Sequence, residues 1–238
     1  MQHILDNPMW NAAITGNKSI SNGTETVKYL DRNMAIFFGL REFTENNFQG
    51  LYELTPFNTV TATFTESEIA LPAIWNVILK KEILQMVYEH ASPPDEDTAS
   101  LIPLQDKDIP AMIELTALTK PGPFFPRTID FGNYEGIFDG RQLVAMCGQR
   151  LQPDPYSEVS AVCVHPDHLG KGYAKLLIRN QLRKIGTAGR IPFLHLYADN
   201  ISACKLYETI GFTTRKQMLV YMLKKNPDAA IIYSAAYY

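Results

Sequence analysis

Apolar positions along this chain change their period several times, and each change marks an element. Asn7 as a cap and Pro8 in a first turn predict a short helix. Met34 to Leu40 is an apolar run of strand length, Thr44 to Leu54 takes helical spacing, and Thr59 to Thr65 alternates β-branched residues. Ala73 to Tyr88 holds a further strand or two. His90 to Ser100, with two adjacent prolines, several acidic residues and almost nothing apolar, reads as a linker.

Beyond it, Leu101 to Leu104 predicts a short strand, and Asp106 or Asp108 caps a helix through Met112, Leu115 and Leu118 that stops by Lys120. Pro121, Pro123 and Pro126 stiffen the next segment into an extended loop that presents Phe124, Phe125 and Arg127. Tyr134 to Phe138 and Gln142 to Arg150 flank Asp139-Gly140, a type I′ hairpin signal. In the next strand Glu158, Ser160, Val162 and Val164 alternate to one face, and Val159, Ala161 and Cys163 to the other. After Gly172 the residues Ala174, Leu177, Ile178, Leu182 and Ile185 fall at helical spacing, with Lys175, Arg179, Arg183 and Lys184 opposite, until Gly186. Pro192 to Tyr197 is a buried strand in which His195 has a structural part. Asn200 caps a helix that Gly211 ends, and Phe212 to Lys224 closes the fold with one or two strands.

These elements predict an α+β protein with a mixed, mostly antiparallel sheet flanked by helices. The expected organisation is an N-terminal α+β domain over 1–90, a linker over 91–100, a second domain over 101–225, and a tail over 226–238. The apolar, tyrosine-rich tail leaves an added strand, a homodimer contact or disorder open.

At 238 residues and 46% hydrophobic content the chain can bury a substantial core. A net charge of -3 with no basic cluster gives nucleic acid and anionic membrane no electrostatic footing. No apolar run approaches a membrane span and MQHILDNPMW lacks the pattern of a signal peptide, so a cytoplasmic location is expected. Cys147, Cys163 and Cys204 are odd in number and lack metal spacing, which predicts reduced thiols with neither zinc nor a disulfide.

The candidate chemistry lies in HPDHLGKGYAKLL, His165 to Leu177, which joins a strand to a helix through two glycines. A helix N-terminus exposes unpaired N–H groups and the positive end of the helix dipole, and Gly170 and Gly172 let an anion approach the backbone, with Lys171 adding a cation. Gly172 stands where a P-loop needs Ser or Thr, and Lys175 where a dinucleotide fingerprint needs its third glycine, so neither motif is present.

VCVHPDHLGKGYA, the following DNISACKLYETIGF, and a strand carrying Glu158 ahead of both together resemble the GNAT superfamily of acetyl-CoA-dependent N-acetyltransferases, in its FR47-like branch. The resemblance covers about residues 101 to 225. It departs from the family's loop signature at Asp167, where Gln or Arg is usual, and that puts one side-chain contact in doubt. It implies a GNAT fold of three-layer type, and the N-terminal half leaves room for a degenerate GNAT-like repeat. It implies acetyl-CoA as cosubstrate, held by His168, Leu169, Gly170, Lys171, Gly172, Tyr173 and Ala174 at the diphosphate. Val162, Cys163 and Val164, with Asn200 and Ala203, would lie along the pantetheine arm.

The same resemblance makes Glu158 the base that deprotonates a primary amine and Tyr207 the acid that protonates the departing thiolate. Glu158 precedes the cradle by six residues, on the order of 20 Å of strand, and an apolar cleft would raise its pKa toward the useful range. Phe124, Phe125 and Arg127 are the expected acceptor contacts, Arg127 offering a fork for a carboxylate or phosphate. Two other readings stay open: a non-catalytic acyl-CoA-binding regulatory module, and a transferase for a longer acyl or aminoacyl group.

Overall fold

The first helix, α1 (Pro8–Ile14), begins where Asn7 and Pro8 predict, but the Asn7 amide does not cap it and instead donates to the Leu40 carbonyl at 2.8 Å. The computed structural model describes residues 3–90 and 101–228. After α1 come β1 (Ser21–Gly23), β2 (Val27–Leu30), β3 (Phe38–Leu40), α2 (Glu45–Leu54), β4 (Thr61–Thr65) and β5 (Trp75–Val87). The second stretch holds β6 (Ile102–Pro103), α3 (Ile109–Thr119), β7 (Glu135–Asp139), β8 (Gln142–Gln149), β9 (Tyr156–Val164), α4 (Tyr173–Thr187), β10 (Ile191–Tyr197), α5 (Ile201–Ile210) and β11 (Thr213–Lys225).

Eight of these strands form one sheet in the order β4-β11-β5-β10-β9-β8-β7-β6. All neighbours are antiparallel except β9 and β10. One face carries α4 and α5, where Leu177, Ile178, Leu182 and Ile185 pack on Met86, Val144, Val159 and Leu194. On the other face Met9 of α1 and Met112 and Leu115 of α3 join Ile83, Met146, Cys163 and Phe193. The central strands β8, β9 and β10 therefore bury most of both sets of alternating side chains, the arrangement of a three-layer domain. A smaller sheet, β1-β2-β3, and α2 close a third cluster of Phe38, Leu40, Phe48 and Leu51 with Trp75 and Leu223.

The boundary expected near residue 90 is not a boundary of the sheet. β5 lies between β10 and β11, with Val87 opposite both Phe193 and Thr213, and β4 forms the edge beside β11. Two of the eight strands thus come from the N-terminal stretch, because β5 finds its partners on strands that follow it by a long interval of chain. Residues 91–100, expected as the linker, and 229–238 of the expected tail lie outside the described residues.

Three local features differ from the pattern expected of the sequence. The β7–β8 turn uses Gly140 and Arg141 between Asp139 and Gln142, and only Gly140 has positive φ (59°), the pattern of a II′ rather than a I′ turn. Helix α4 runs through Gly186 to Thr187, and the left-handed residue that ends it is Gly189 (φ 70°). In β9 the alternation reverses at Ala161, which takes φ 52° opposite a register shift between Met146 and Gly148 of β8. One extra residue there turns Cys163 to the face of Glu158 and sends Val162 and Val164 to the α4 face with Val159.

Candidate active site

β9 and β10 run side by side only from Tyr156 to Glu158, paired with Ile191 to Phe193. Beyond that point β10 pairs with β5 and β9 with β8, so the two strands part and the β9 edge from Val159 onward has no partner among the described strands. The Ala161 bulge deepens the split by adding twist where pairing stops. The result is an opening through the sheet, bounded by Val162 to Val164 on one side and His195 to Tyr197 on the other.

At the far end of β9 the chain enters the glycine-paired turn. His165 N–H donates to the Val144 carbonyl (2.7 Å) and fixes the entry to the turn. The buried His168 ring lies beside Asp139 Oδ2 (Nε2 at 3.1 Å) and stacks on Tyr173, tying the turn to the β7–β8 hairpin. Its Nδ1 is buried without a hydrogen-bond partner among the described residues. Gly170 and Gly172 hold φ of 76° and 79°, and a Cβ at either would meet nothing within 4 Å. The glycines are thus needed for a left-handed backbone, and the space above them is open. No side chain among the described residues caps α4, whose first intrahelical bond runs from Leu176 N–H to the Gly172 carbonyl. The N–H groups of Gly172, Tyr173, Ala174 and Lys175 consequently have no partner among the described residues, and they suit an anion.

On the α4 face of the opening lies Tyr207, half-buried in α5 with its ring edge-on to Phe212 at 5.7 Å. Burial raises its phenol above the usual range, and its hydroxyl has no hydrogen-bond partner among the described residues. Ala203, Cys204 and Tyr207 share the inner face of α5, as their spacing predicts. The exposed Asn200 uses Oδ1 to cap Ala203 N–H at 3.1 Å. Cys163, at the mouth of the opening, has its thiol pushed up to about 12 by burial.

The opposite face holds Glu158, and here the expectation reverses. Its carboxylate is fully buried and accepts from Arg150 Nε and Nη2 (2.8 and 2.7 Å), from Leu151 N–H (3.2 Å) and from His195 Nδ1 (2.7 Å). Desolvation pushes its pKa up, but the Arg150 charge and these hydrogen bonds together overcome that and hold it at about 2. A carboxylate so committed is a poor general base at neutral pH. His195 is bound as well. Gln85 takes Arg215 on Oε1 (2.5 Å) and donates from Nε2 to the Leu5 carbonyl, which leaves its other Nε2–H for His195 Nε2 at 2.9 Å. His195 is therefore neutral, with Nδ1–H toward Glu158, and burial lowers its pKa further. This agrees with a structural His195.

Arg150 and His195 line a cleft of about 500 Å³ that opens to solvent, together with Phe37, Phe64, Leu196, Met222 and the loop residues Pro121, Gly122 and Pro123. The proline-rich loop thus reaches this pocket with its first three residues only. Arg127 does not reach it: its guanidinium is held by Asp130 (2.7 and 2.5 Å) and Asp106 (3.4 Å) and borders a separate depression with Asp31 and Asn33. Phe124 packs edge-on against Tyr134 in the core, and Phe125 donates its N–H to Thr128 Oγ1. The fork that does face the pocket, Arg150, is the residue missed by the sequence reading. Its signal was an Arg at the end of one hairpin strand facing a Glu at the start of the next.

Residues 134–221 match the family model of FR47-like proteins. A crystal structure from Novosphingobium aromaticivorans, assigned to the GNAT family of acetyltransferases, is 30% identical over 94% of this chain and all of that one, with a TM-score of 0.88. A GCN5-related N-acetyltransferase from Kribbella flavida shares the fold at a TM-score of 0.61, with 13% identity over 94% of this chain and 97% of that one. Mycothiol acetyltransferase of Corynebacterium efficiens is 34% identical over 86 residues, 36% of this chain and 29% of that protein. The chain thus spans less than a third of the length of that curated relative.

Proposed function

The chain belongs to the GNAT superfamily of acetyltransferases, in its FR47-like branch, and on that footing we propose that it transfers an acetyl group from acetyl-CoA directly to a primary amine. The observation that carries the reading is the opening between β9 and β10, which has a glycine-paired turn with open helix N–H groups at one end, a tyrosine hydroxyl without a partner among the described residues on one face and a mainly apolar pocket on the other. The free N–H groups from Gly172 onward, with Lys171, receive the diphosphate. The unpaired edge at Val162 to Val164 accompanies the pantetheine, and the amide nitrogen of Asn200, not used in its cap, lies to the side of it.

The amine nitrogen attacks the thioester carbonyl from the Arg150 face, a C–N bond forms, and the C–S bond breaks toward Tyr207. Tyr207, kept protonated at neutral pH by its burial, donates to the departing sulfur and recovers a proton from the nitrogen that has become an amide. Glu158 holds the pocket wall in place, and the amine reacts as the free base that solvent supplies.

The test is thiol release from acetyl-CoA in the presence of a panel of primary amines. We expect acceptor-dependent release, and in Tyr207→Phe a loss in kcat of roughly 10²-fold with acetyl-CoA affinity unchanged. Tight CoA binding with no release for any amine would point instead to an acyl-CoA-binding module. A faster rate with a longer acyl donor would replace acetyl.

A further inference from the structure

We infer that the acceptor is an amino acid with an apolar side chain, its carboxylate received by Arg150. The inference rests on the proposed acetyl transfer and concerns only what the pocket accepts. A guanidinium has five N–H donors on two usable edges. Glu158 takes the Nε–Nη2 edge of Arg150, at 2.8 and 2.7 Å. Nη1 has no hydrogen-bond partner among the described residues, and Arg150 is one of the residues that line the pocket. The planar face is also committed, since the guanidinium carbon sits 4.8 Å from the Phe37 ring centre and 5.7 Å from that of Phe64. Among the described residues, the end-on edge is the part of the guanidinium left without a contact.

That edge presents two parallel N–H groups from a side chain 17% exposed, in a pocket lined mainly by apolar residues such as Phe64, Ile83, Leu196 and Met222, with His195 and Tyr197 beside them. Donors left unmet there are costly, and two parallel N–H groups match the two oxygens of a carboxylate, whereas an amide carbonyl meets them with one. Charge points the same way. Arg150 and Glu158 cancel and His195 is neutral, so a monoanion enters at little electrostatic cost while a phosphate dianion is opposed by the nearby carboxylate. Apart from His195 and Tyr197, the rest of the pocket lining is apolar and suits an apolar side chain.

Three compounds with one side chain decide it: L-phenylalanine, phenylalaninamide and phenethylamine, compared per concentration of free base. In thiol release, kcat/KM for L-phenylalanine should exceed the other two by roughly 10-fold or more, mainly through KM, because only its carboxylate meets both N–H groups of the fork. Arg150→Lys keeps the charge beside Glu158 but loses the fork, and should bring the three compounds to within a few-fold. If that variant does not fold, the neutral pair Arg150→Met with Glu158→Gln serves the same purpose. Phenethylamine equal to L-phenylalanine in the wild type, or a preference unchanged in the folded variant, overturns the inference. Calorimetry of the same compounds against the CoA-saturated protein separates the two readings. Selective binding of L-phenylalanine without turnover keeps the pocket assignment and rejects the reaction, and binding of none of them rejects the pocket assignment.

Discussion

Glu158 is a carboxylate whose meaning depends on partners that the linear sequence does not reveal. Strand alternation makes its burial legible, and burial alone would raise its pKa, but Arg150 stands across a hairpin and His195 on a strand much later in the chain. The sign of the shift follows from those two contacts. A folded pKa of about 2 against 4.5 means that the stabilising contribution is complete above about pH 4.5 and is lost as pH falls toward 2. That contribution is on the order of 3 kcal/mol. Glu158→Gln should therefore melt well below wild type at neutral pH, with the gap narrowing as pH is lowered from about 5 to about 2. A constant gap in melting temperature across that range would show that the ionised carboxylate is not what stabilises the site. Catalysis gives a second check. With Glu158 and His195 both committed, the rise of kcat/KM with pH should follow the acceptor's own amine pKa and shift when the acceptor is changed. A limb that stays fixed for acceptors of different basicity would return the base to the protein.

At the scale of elements, what was legible was what is local. The glycine-paired turn, the amphipathic α4 and the cap and stop of α5 are each written in a few neighbouring residues, and each forms near its predicted place. The β9 bulge is not, because an extra residue is recognised only against a partner strand. Ala161 holds a left-handed φ of 52°, unfavourable for a residue with a Cβ by roughly 1 kcal/mol. Ala161→Gly should therefore hold or raise the melting temperature, while deletion of Ala161 should lower it sharply by turning Val162, Cys163 and Val164 to the wrong faces. At the turn, Gly172→Ala has room for its methyl group in the free protein, so its stability cost should be only about 1 kcal/mol of backbone strain. CoA affinity should fall much further than that, since the methyl occupies the space assigned to the diphosphate. Calorimetry with CoA beside a melting curve separates the two effects, and equal affinity would move the diphosphate elsewhere.

The whole molecule is the scale least legible from sequence, because the order of strands in a sheet is not their order in the chain. A proline-rich, acidic segment between two patterned stretches looks like a division, yet β5 sits inside the sheet that the later stretch builds. A fragment beginning at residue 101 would leave β10 and β11 without the strand that joins them and would expose Leu194, Met218 and Val220. Such a fragment should be unfolded or aggregated, and coexpression with residues 1–90 should restore soluble protein. A soluble, cooperatively melting fragment would disprove this. The placement of β5 also governs synthesis. A strand that emerges early from the ribosome waits, with Met86 and Val87 uncovered, until nearly the entire chain has followed, and this high contact order makes closure of the sheet a late and slow event that favours chaperone assistance.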